Sequence, residues 1–332
     1  MDVQEPFPAM VVRETADGAA SRIEELTLGD LPEGGVVIRV EYSSLNYKDA
    51  LASQGHPGVV RSLPHVPGID CAGEVVSSDA AEFRPGEKVL VTGYDLGSGA
   101  WGGYSQYVRV PAEWVVAMPD GLTPRLAMVY GTAGFTAAQC VQALVRGGVE
   151  PADGPVVVSG ATGGVGTLAV AILAKLGYEV TAVSGKPDRH DSLLRLGAAE
   201  VAGRELLSGD DRPLLKSRWA GAVDTVGGAP LATLVRSLNH RGCVAACGLT
   251  AGEQLPLTVY PFILRGVTLA GIDSAKCPRA PRMEVWRLLS GDWRVDLPDE
   301  LVSETDLAGL PEQISAMLAG DHFGRTLVVP SC

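Results

Sequence analysis

Apolar and polar positions fall into two textures along this chain. Up to about Leu126 the apolar residues come in short runs bounded by Gly or Pro: "GGVVIRVEYSSLNY", "PHVPGIDCAGEVVSS", "RPGEKVLVTGYD" and "GGYSQYVRVPAEWVVAMP". Short strands with frequent turns predict a barrel-like or sandwich-like β domain. Beyond that point the periods lengthen. "RLAMVYGTAGFTAAQCVQALVRGG" has helical spacing and stops at Gly147 and Gly148. The runs "VVVSG", "EVTAVSG", "GAVDTVG", "GCVAACG" and "VTLAGID" then alternate with the helical stretches "GTLAVAILAKL", "RHDSLLRLGA" and "PLATLVRSLN". Apolar strands alternating with helices predict βαβ units and a parallel sheet covered on both faces. The tail "DLAGLPEQISAMLAGDHFGRTLVVP" reads as a helix followed by a strand that returns to the first domain. No internal repeat or low-complexity segment interrupts the pattern.

Composition narrows the class. With 332 residues, 46% hydrophobic and 20% charged, the chain can bury a sizeable core in one large or two moderate domains. A net charge of −12 argues against nucleic acid as a partner, although it says nothing about a single basic pocket. The six cysteines, Cys71, Cys140, Cys243, Cys247, Cys277 and Cys332, are scattered, and Cys243 and Cys247 flank "VAA" in an apolar run that reads as core. The start "MDVQEPFPAM" lacks a signal pattern, and no long apolar stretch suggests a membrane span. The expectation is a soluble, cytoplasmic protein with reduced thiols and no membrane partner.

The strongest chemical signal lies in "VVVSGATGGVGTLAVAILAKLGYEVTAVSGK". Gly160, Gly163 and Gly166, with Gly164 and Val165 between them, join an apolar β-branched run to a helix. Glycines there permit a tight turn and let a pyrophosphate approach the N–H groups of the helix N-terminus. The following strand ends in Ser184, Gly185 and Lys186, where an acid would favour the free ribose of NAD. A hydroxyl, a backbone N–H and an ammonium suit a 2′-phosphate instead, and Arg189 and His190 follow closely. NADPH is therefore the expected cofactor.

Taken together, "SSLNYKDAL", "PGIDCAGEV", "GEKVLVTG", "WGGYSQYV", "GTAGFTAA", "SGATGGVG", "DTVGG", "CGL" and "GRTLVV" resemble a medium-chain dehydrogenase/reductase across nearly the whole chain. "SSLNYKDAL", "PGID", "VSGK", "AACGL", "PFILRGVTLAGIDS" and "GRTL" most resemble the zinc-independent acryloyl-CoA reductase branch, also labelled quinone oxidoreductase. The resemblance implies an α/β fold: a GroES-like, β-rich catalytic domain (1–126 and 275–332) with an inserted Rossmann domain that binds NADPH (127–274). It also implies a homodimer.

The same resemblance locates candidate site residues. In zinc-dependent relatives a Gly-His-Glu motif supplies a ligand; here it reads Gly68-Ile69-Asp70, and "SSLNYKD" lacks the usual cysteine. His56 and His65 are isolated, so no metal site is expected. The polar stretch "LNYKDAL" matches the segment beside the nicotinamide. Tyr47 is the expected cofactor contact and hydrogen-bond or proton donor, Asn46 orients substrate or cofactor, and Asp49 orients both or acts as an acid. The alternative is a helix start capped by Asn46, with Asp49 in its first turn and Lys48 solvated. Further cofactor positions by resemblance are Thr132, Thr136, Leu249, Ile263, Ser274 and Arg325, with core packing open for Leu249 and Ile263.

The implied reaction is NADPH-dependent conjugate reduction of a short 2-enoyl thioester such as acryloyl-CoA, giving propanoyl-CoA. Arg61, Arg265, Arg279 and Arg282 are candidates for the CoA phosphates. The alternatives are quinone or small-enone reduction and a non-catalytic NADPH-binding role. An intact "LNYKD" argues against the last.

Overall fold

The computed structural model describes residues 5–16, 18–208 and 212–330. Two antiparallel strands, β1 (Phe7–Thr15) and β2 (Gly18–Leu26), form a separate hairpin that the sequence patterns did not indicate. The chain continues through β3 (Val36–Ser44), α1 (Tyr47–Ser53), β4 (Asp70–Ser78), β5 (Lys88–Thr92), β6 (Tyr107–Val110) and β7 (Val116–Ala117) to α2 (Pro124–Arg146). Next come β8 (Val156–Ser159), α3 (Gly164–Lys175), β9 (Val180–Val183), α4 (His190–Arg195), β10 (Glu200–Ala202) and β11 (Trp219–Asp224). Then follow α5 (Gly228–Ser237), β12 (Leu238–Ala246), α6 (Tyr260–Arg265) and β13 (Thr268–Gly271). Finally α7 (Arg279–Ser290), β14 (Val302–Asp306), α8 (Leu310–Leu318) and β15 (Arg325–Val329) complete the fold, with the tail's helix and strand as expected.

The chain divides into two compact units: Met1–Thr132 with Ala275–Ser290 and Asp299–Cys332, and Ala133–Ser274 with Gly291–Pro298. In the first, seven strands form a sheet ordered β14-β15-β3-β4-β5-β7, with β6 also on β3. Side chains alternate across β3, as the period of 2 requires. Val36, Ile38 and Val40 pack with Val75, Val89, Val91 and Val108. Val37 faces the other way, into a cluster with Phe7, Met10, Tyr104 and Val328. The pairing of Leu327 with Ser44 brings the C-terminal strand beside the chain leading into α1.

In the second unit six parallel strands follow the order β10-β9-β8-β11-β12-β13. Strands β8, β9 and β11 are buried along their whole length, as their Val- and Ala-rich runs predict. The order reverses between β8 and β11, the place where open α/β sheets bind ligands at the carboxyl ends of their strands.

Helix α2 kinks at Gly131, whose φ of 49° and ψ of −154° lie outside the range of other residues. A Cβ there would meet Asp70 Oδ2 and Ser44 Oγ, each at 2.6 Å. The kink is thus required by what lies beneath it.

Candidate functional site

The second unit holds the glycine loop. The chain leaves β8 through Gly160 at φ 60°, where a side chain would lie 2.3 Å from Thr225 Oγ1. A side chain at Gly166 would lie 2.3 Å from the Gly160 carbonyl oxygen, so helix and turn touch closely only because both residues are glycine. Gly163 is the N-cap of α3, and Gly164 and Val165 open its first turn with no side-chain cap. Their N–H groups therefore remain available to an anion.

Ser184 follows β9 and is buried, its hydroxyl 2.9 Å from Thr162 Oγ1 and accepting from Lys186 N at 3.1 Å. The exposed Arg204 lies over Gly185, where a Cβ would come within 2.3 Å of its Nε. Gly160, Ser184, Gly185, Arg204, Leu207 and Val226 line a cavity of about 330 Å³, and no carboxylate is among its described lining residues. A guanidinium, a hydroxyl and an absent acid suit a phosphate dianion, and the apolar members suit a flat ring. A second, more open cavity of about 510 Å³ is formed by Ala246, Cys247, Gly248, Leu249, Gly271, Ile272 and Asp273. Ser274 follows it directly.

In the first unit, two carboxylates with no solvent exposure organise the polar residues. Asp49 Oδ1 accepts from the N–H of Gly68 at 3.1 Å and of Ile69 at 2.7 Å. Its Oδ2 accepts from Asn46 N at 2.9 Å and Asn46 Nδ2 at 3.1 Å, the reciprocal link of a capping box. Asp70 Oδ2 accepts from Ser44 Oγ at 2.7 Å, Asn46 Nδ2 at 2.8 Å and Thr132 N at 2.8 Å. Its Oδ1 accepts from Thr132 Oγ1 at 2.6 Å. Arg325, at the start of β15 and 2% exposed, donates to the carbonyls of Val129 at 2.9 Å and Leu45 at 3.3 Å and to Asn46 Oδ1 at 3.4 Å.

The electrostatics follow from enclosure. Burial, then the charge of Asp70, pushes the Asp49 carboxyl up to about 7. Burial pulls Arg325 down, opposed by Asp70 and Asp49. The enclosed Tyr104 phenol is raised well above its ordinary value by burial and then by Asp49.

These contacts show where the expected residues lie. Asn46, Asp49, Thr132 and Arg325 come together in the first unit. The carboxamide of Asn46 is engaged at both ends, so it holds its own loop. Asp49 is the first-turn partner of the capping reading as well as an orienting group. Arg325 faces inward as a brace between β15 and the kinked helix. Tyr47, first residue of α1, is 52% exposed and presents its ring to solvent. Thr136 is buried, while Leu249 and Ile263 are 67% and 68% exposed, which rules out core packing for either. Ile263 lines neither cavity.

Three of the four arginines considered for CoA phosphates make hydrogen bonds within the protein. Arg265 donates to the carbonyls of Arg236 and Leu238, and Arg279 to that of Val115. Arg282 is fully buried, donates to the Thr92 carbonyl and stacks on Tyr94. Arg61 and Arg279 are both exposed, and Arg61 lies 3.4 Å from Asp95.

Sequence reading passed over Asp70, Ser44, Tyr104 and Arg204. Asp70 was visible only as the last residue of the altered metal motif. Arg204 carried a faint signal, a base just after the strand that follows "VSGK".

A zinc ion does not fit this polar cluster. Ile69 offers no lone pair, no thiol or imidazole stands in for it, and the Asp49 and Asp70 oxygens already accept from N–H and O–H donors. Among the described residues no group of three His, Cys, Asp or Glu side chains is placed to hold a metal.

Comparison with known proteins completes the picture. Residues 32–120 match the alcohol dehydrogenase GroES-like domain, and residues 164–290 match the zinc-binding dehydrogenase domain. Acrylyl-CoA reductase AcuI of Ruegeria pomeroyi is 46% identical over 97% of this chain and 98% of its own. The YhdH oxidoreductase of Salmonella enterica, solved in complex with NADP, superposes with a TM-score of 0.93 at 46% identity, covering 97% of this chain and 99% of that one. YhfP of Bacillus subtilis, solved with NAD bound, gives 0.94 at 44% identity over 98% of this chain and all of that one. By domain content and by full-length similarity, the chain belongs to the medium-chain dehydrogenase/reductase family, with a GroES-like domain and a Rossmann domain.

Proposed function

We propose that the protein is an NADPH-dependent reductase of short α,β-unsaturated acyl thioesters, with acryloyl-CoA as the leading substrate and propanoyl-CoA as product. The observation that carries the reading is the full-length, 46% identity to an acrylyl-CoA reductase. The acid-free cavity of Ser184, Gly185 and Arg204 supports NADPH over NADH. The glycine turn and the open first turn of α3 would hold the pyrophosphate, with Gly160, Gly163, Gly164, Val165 and Gly166 as the backbone and Lys186 beside Ser184. When bound, NADPH supplies the hydride for the β-carbon.

The chain's own task is to meet charge and deliver a proton. A carbonyl oxygen gaining negative charge needs a donor, and the Tyr47 hydroxyl is an exposed one. Asn46 fixes the backbone from which Tyr47 projects; Asp49, Asp70 and Arg325 fix Asn46. Leu249 and Ser274 belong to the reading through the second cavity and the residue beside it. Thr132 and Thr136 enter as cofactor-side positions on α2.

Quinone or small-enone reduction is the second reading. It is favoured by the internal engagement of Arg265, Arg279 and Arg282, and by YhfP, 45% identical over 97% of this chain, which carries a provisional quinone oxidoreductase name. We further propose a cytoplasmic homodimer. Edge strand β13 and the exposed Val259, Tyr260, Ile263 and Leu264 offer an apolar face for a second copy. Among the described residues no helix is long and apolar enough to cross a membrane, and no disulfide joins the five described cysteines, with Cys332 outside the described residues.

The test is steady-state NADPH oxidation with acryloyl-CoA, 1,4-benzoquinone and free acrylate, repeated with NADH. A kcat/KM for acryloyl-CoA far above that for quinone supports the thioester reading. Activity with quinone alone replaces it with the second.

A further inference from the structure

The run "WAGAVD" forms β11, and all six of its residues are buried. Five are apolar or aromatic, as a central parallel strand requires. The sixth, Asp224, is a carboxylate with no solvent exposure, and the reduction proposed above gives it no part. A carboxyl held there against burial needs an explanation.

Its partners supply one. Oδ1 accepts from Ser159 Oγ at 2.7 Å, on the last residue of β8, where the following loop begins. Oδ2 accepts from Gly227 N at 2.7 Å, on the loop leaving β11. The main-chain carbonyl accepts from Cys247 N at 2.9 Å and Cys247 Sγ at 3.4 Å, on the loop leaving β12. Thr225 doubles the first link, its N donating to Ser159 Oγ at 3.0 Å and its Oγ1 to Ser159 O at 2.9 Å. Ala251 N donates to Val226 O at 2.7 Å and doubles the third.

We propose that Asp224 is a positioning residue for dinucleotide binding: its carboxylate and carbonyl tie the loops after β8, β11 and β12 into one frame that shapes both cavities of the second unit. Ser159, Gly160, Val226, Thr250 and Ala251 wall the first cavity, and Cys247, Gly248 and Leu249 wall the second. The loops approach too closely for ordinary packing to set their spacing. A side chain on Gly248 would lie 1.9 Å from the Thr225 carbonyl oxygen, and one on Gly227, at φ 71°, would lie 2.8 Å from those of Gly248 and Gly252. Hydrogen bonds through one acid therefore define the spacing. Burial raises the Asp224 carboxyl, while the bonds from Ser159, Gly227 and Val226 oppose the shift, consistent with a group kept for its contacts.

The inference rests on the NADPH reading, so wild-type binding is the control. Dissociation constants for NADPH are measured by titration at 25 °C, well below the melting temperature, for wild type, Asp224→Leu, Asp224→Asn and Ser159→Ala. Asp224→Leu strands two donors and is expected to raise Kd roughly tenfold or more. Asp224→Asn keeps an acceptor for Gly227 N and turns its NH₂ to the Ser159 oxygen; it is expected to restore Kd to within about threefold of wild type. Ser159→Ala removes the hydroxyl that joins β8 to Asp224 Oδ1 and Thr225 N while leaving the Thr225 bond to the Ser159 carbonyl, and a rise of severalfold there carries the test if the leucine variant does not fold. Wild-type affinity in both Asp224→Leu and Ser159→Ala, even with lowered melting temperatures, would overturn the positioning role. Failure of the wild type itself to bind NADPH would instead overturn the cofactor reading.

Discussion

Replacing Asp49 by asparagine separates the charge of the buried cluster from its shape. The Asp49 carboxyl is raised from an ordinary 3.8 to about 7, first by burial and then by Asp70. A raised carboxyl keeps its proton in the fold at pH values where the unfolded chain has released it. The unfolded state then binds fewer protons, and stability falls as pH rises from about 4 to about 7, with no further change from this group above that. Between pH 5 and pH 8 the loss is about 3 kcal/mol, at about 1.4 kcal/mol per pH unit until the folded group itself titrates.

The carboxamide of the Asp49→Asn variant does not titrate, so its profile lacks this fall while other groups contribute to both. The variant also carries a penalty without pH dependence. Four N–H donors face Asp49, from Gly68, Ile69 and both nitrogens of Asn46. An amide accepts at one end only, so two donors lose their partner at about 1–3 kcal/mol each. The assay is melting temperature against pH from 5 to 8. With about 2–4 °C per kcal/mol for a domain of this size, the wild type should drop about 6–12 °C more than the variant across that range. Parallel curves would refute the claim that burial holds a proton on Asp49.

Three further changes test separate parts of the site. Gly131→Ala forces a Cβ toward Asp70 Oδ2 in a backbone conformation open only to glycine, and should lower stability by about 3 kcal/mol or more in thermal unfolding. An unchanged melting temperature would contradict the kink. Arg204→Ala should weaken NADPH about 10- to 100-fold and NADH by less than about threefold in fluorescence titrations; equal losses would remove the 2′-phosphate assignment. Tyr47→Phe removes one hydroxyl from an exposed ring, and kcat should fall about 10- to 100-fold with the KM for NADPH unchanged. A wild-type kcat would take Tyr47 out of the chemistry.

What the sequence disclosed depended on how local each signal was. The parallel sheet was legible because β8, β9 and β11 are short, uniformly buried Val- and Ala-rich runs set between helices. The turn at Gly160 was legible because its cause is written into adjacent residues. Hairpin β1–β2 was not, since "GAASRIEEL" carries little apolar alternation and only its register against "FPAMVVRET" makes it a strand. The polar cluster was half legible. Asn46 and Asp49 share the "LNYKDAL" segment, but Asp70 reaches them from 21 positions beyond Asp49 and Arg325 from the C-terminal strand. Sequence patterns show which residues can pair locally; long-range pairing of charges follows from strand order. The arginines show the opposite error: Arg282 looks like a free cation in sequence and is a fully enclosed donor in the fold.

That contrast bears on how a chain of net charge −12 can favour a phosphorylated dinucleotide. At physiological salt, charges separated by more than about 8 Å are largely screened, so the total matters less than the groups within contact distance. The cavity under Arg204 has one cation, the buried hydroxyls of Ser159, Thr162 and Ser184, and no acid among its described lining residues. Placement of acids contributes as much as placement of the base. Asp224 is held 0% exposed beneath the loops, and Asp49 and Asp70 are enclosed in the first unit by the donors around them. Each of the three is answered by its own hydrogen bonds, which limits the field it projects outward. Selectivity for the 2′-phosphate then follows from local structure, and it should survive surface substitutions that change net charge but leave Ser184, Gly185 and Arg204 in place. A charge-reversal series on distant surface acids, read as the ratio of Kd for NADH to that for NADPH, tests this directly. A ratio that tracked net charge instead of Arg204 would mean that the field of the whole chain, and not the cavity, chooses the coenzyme.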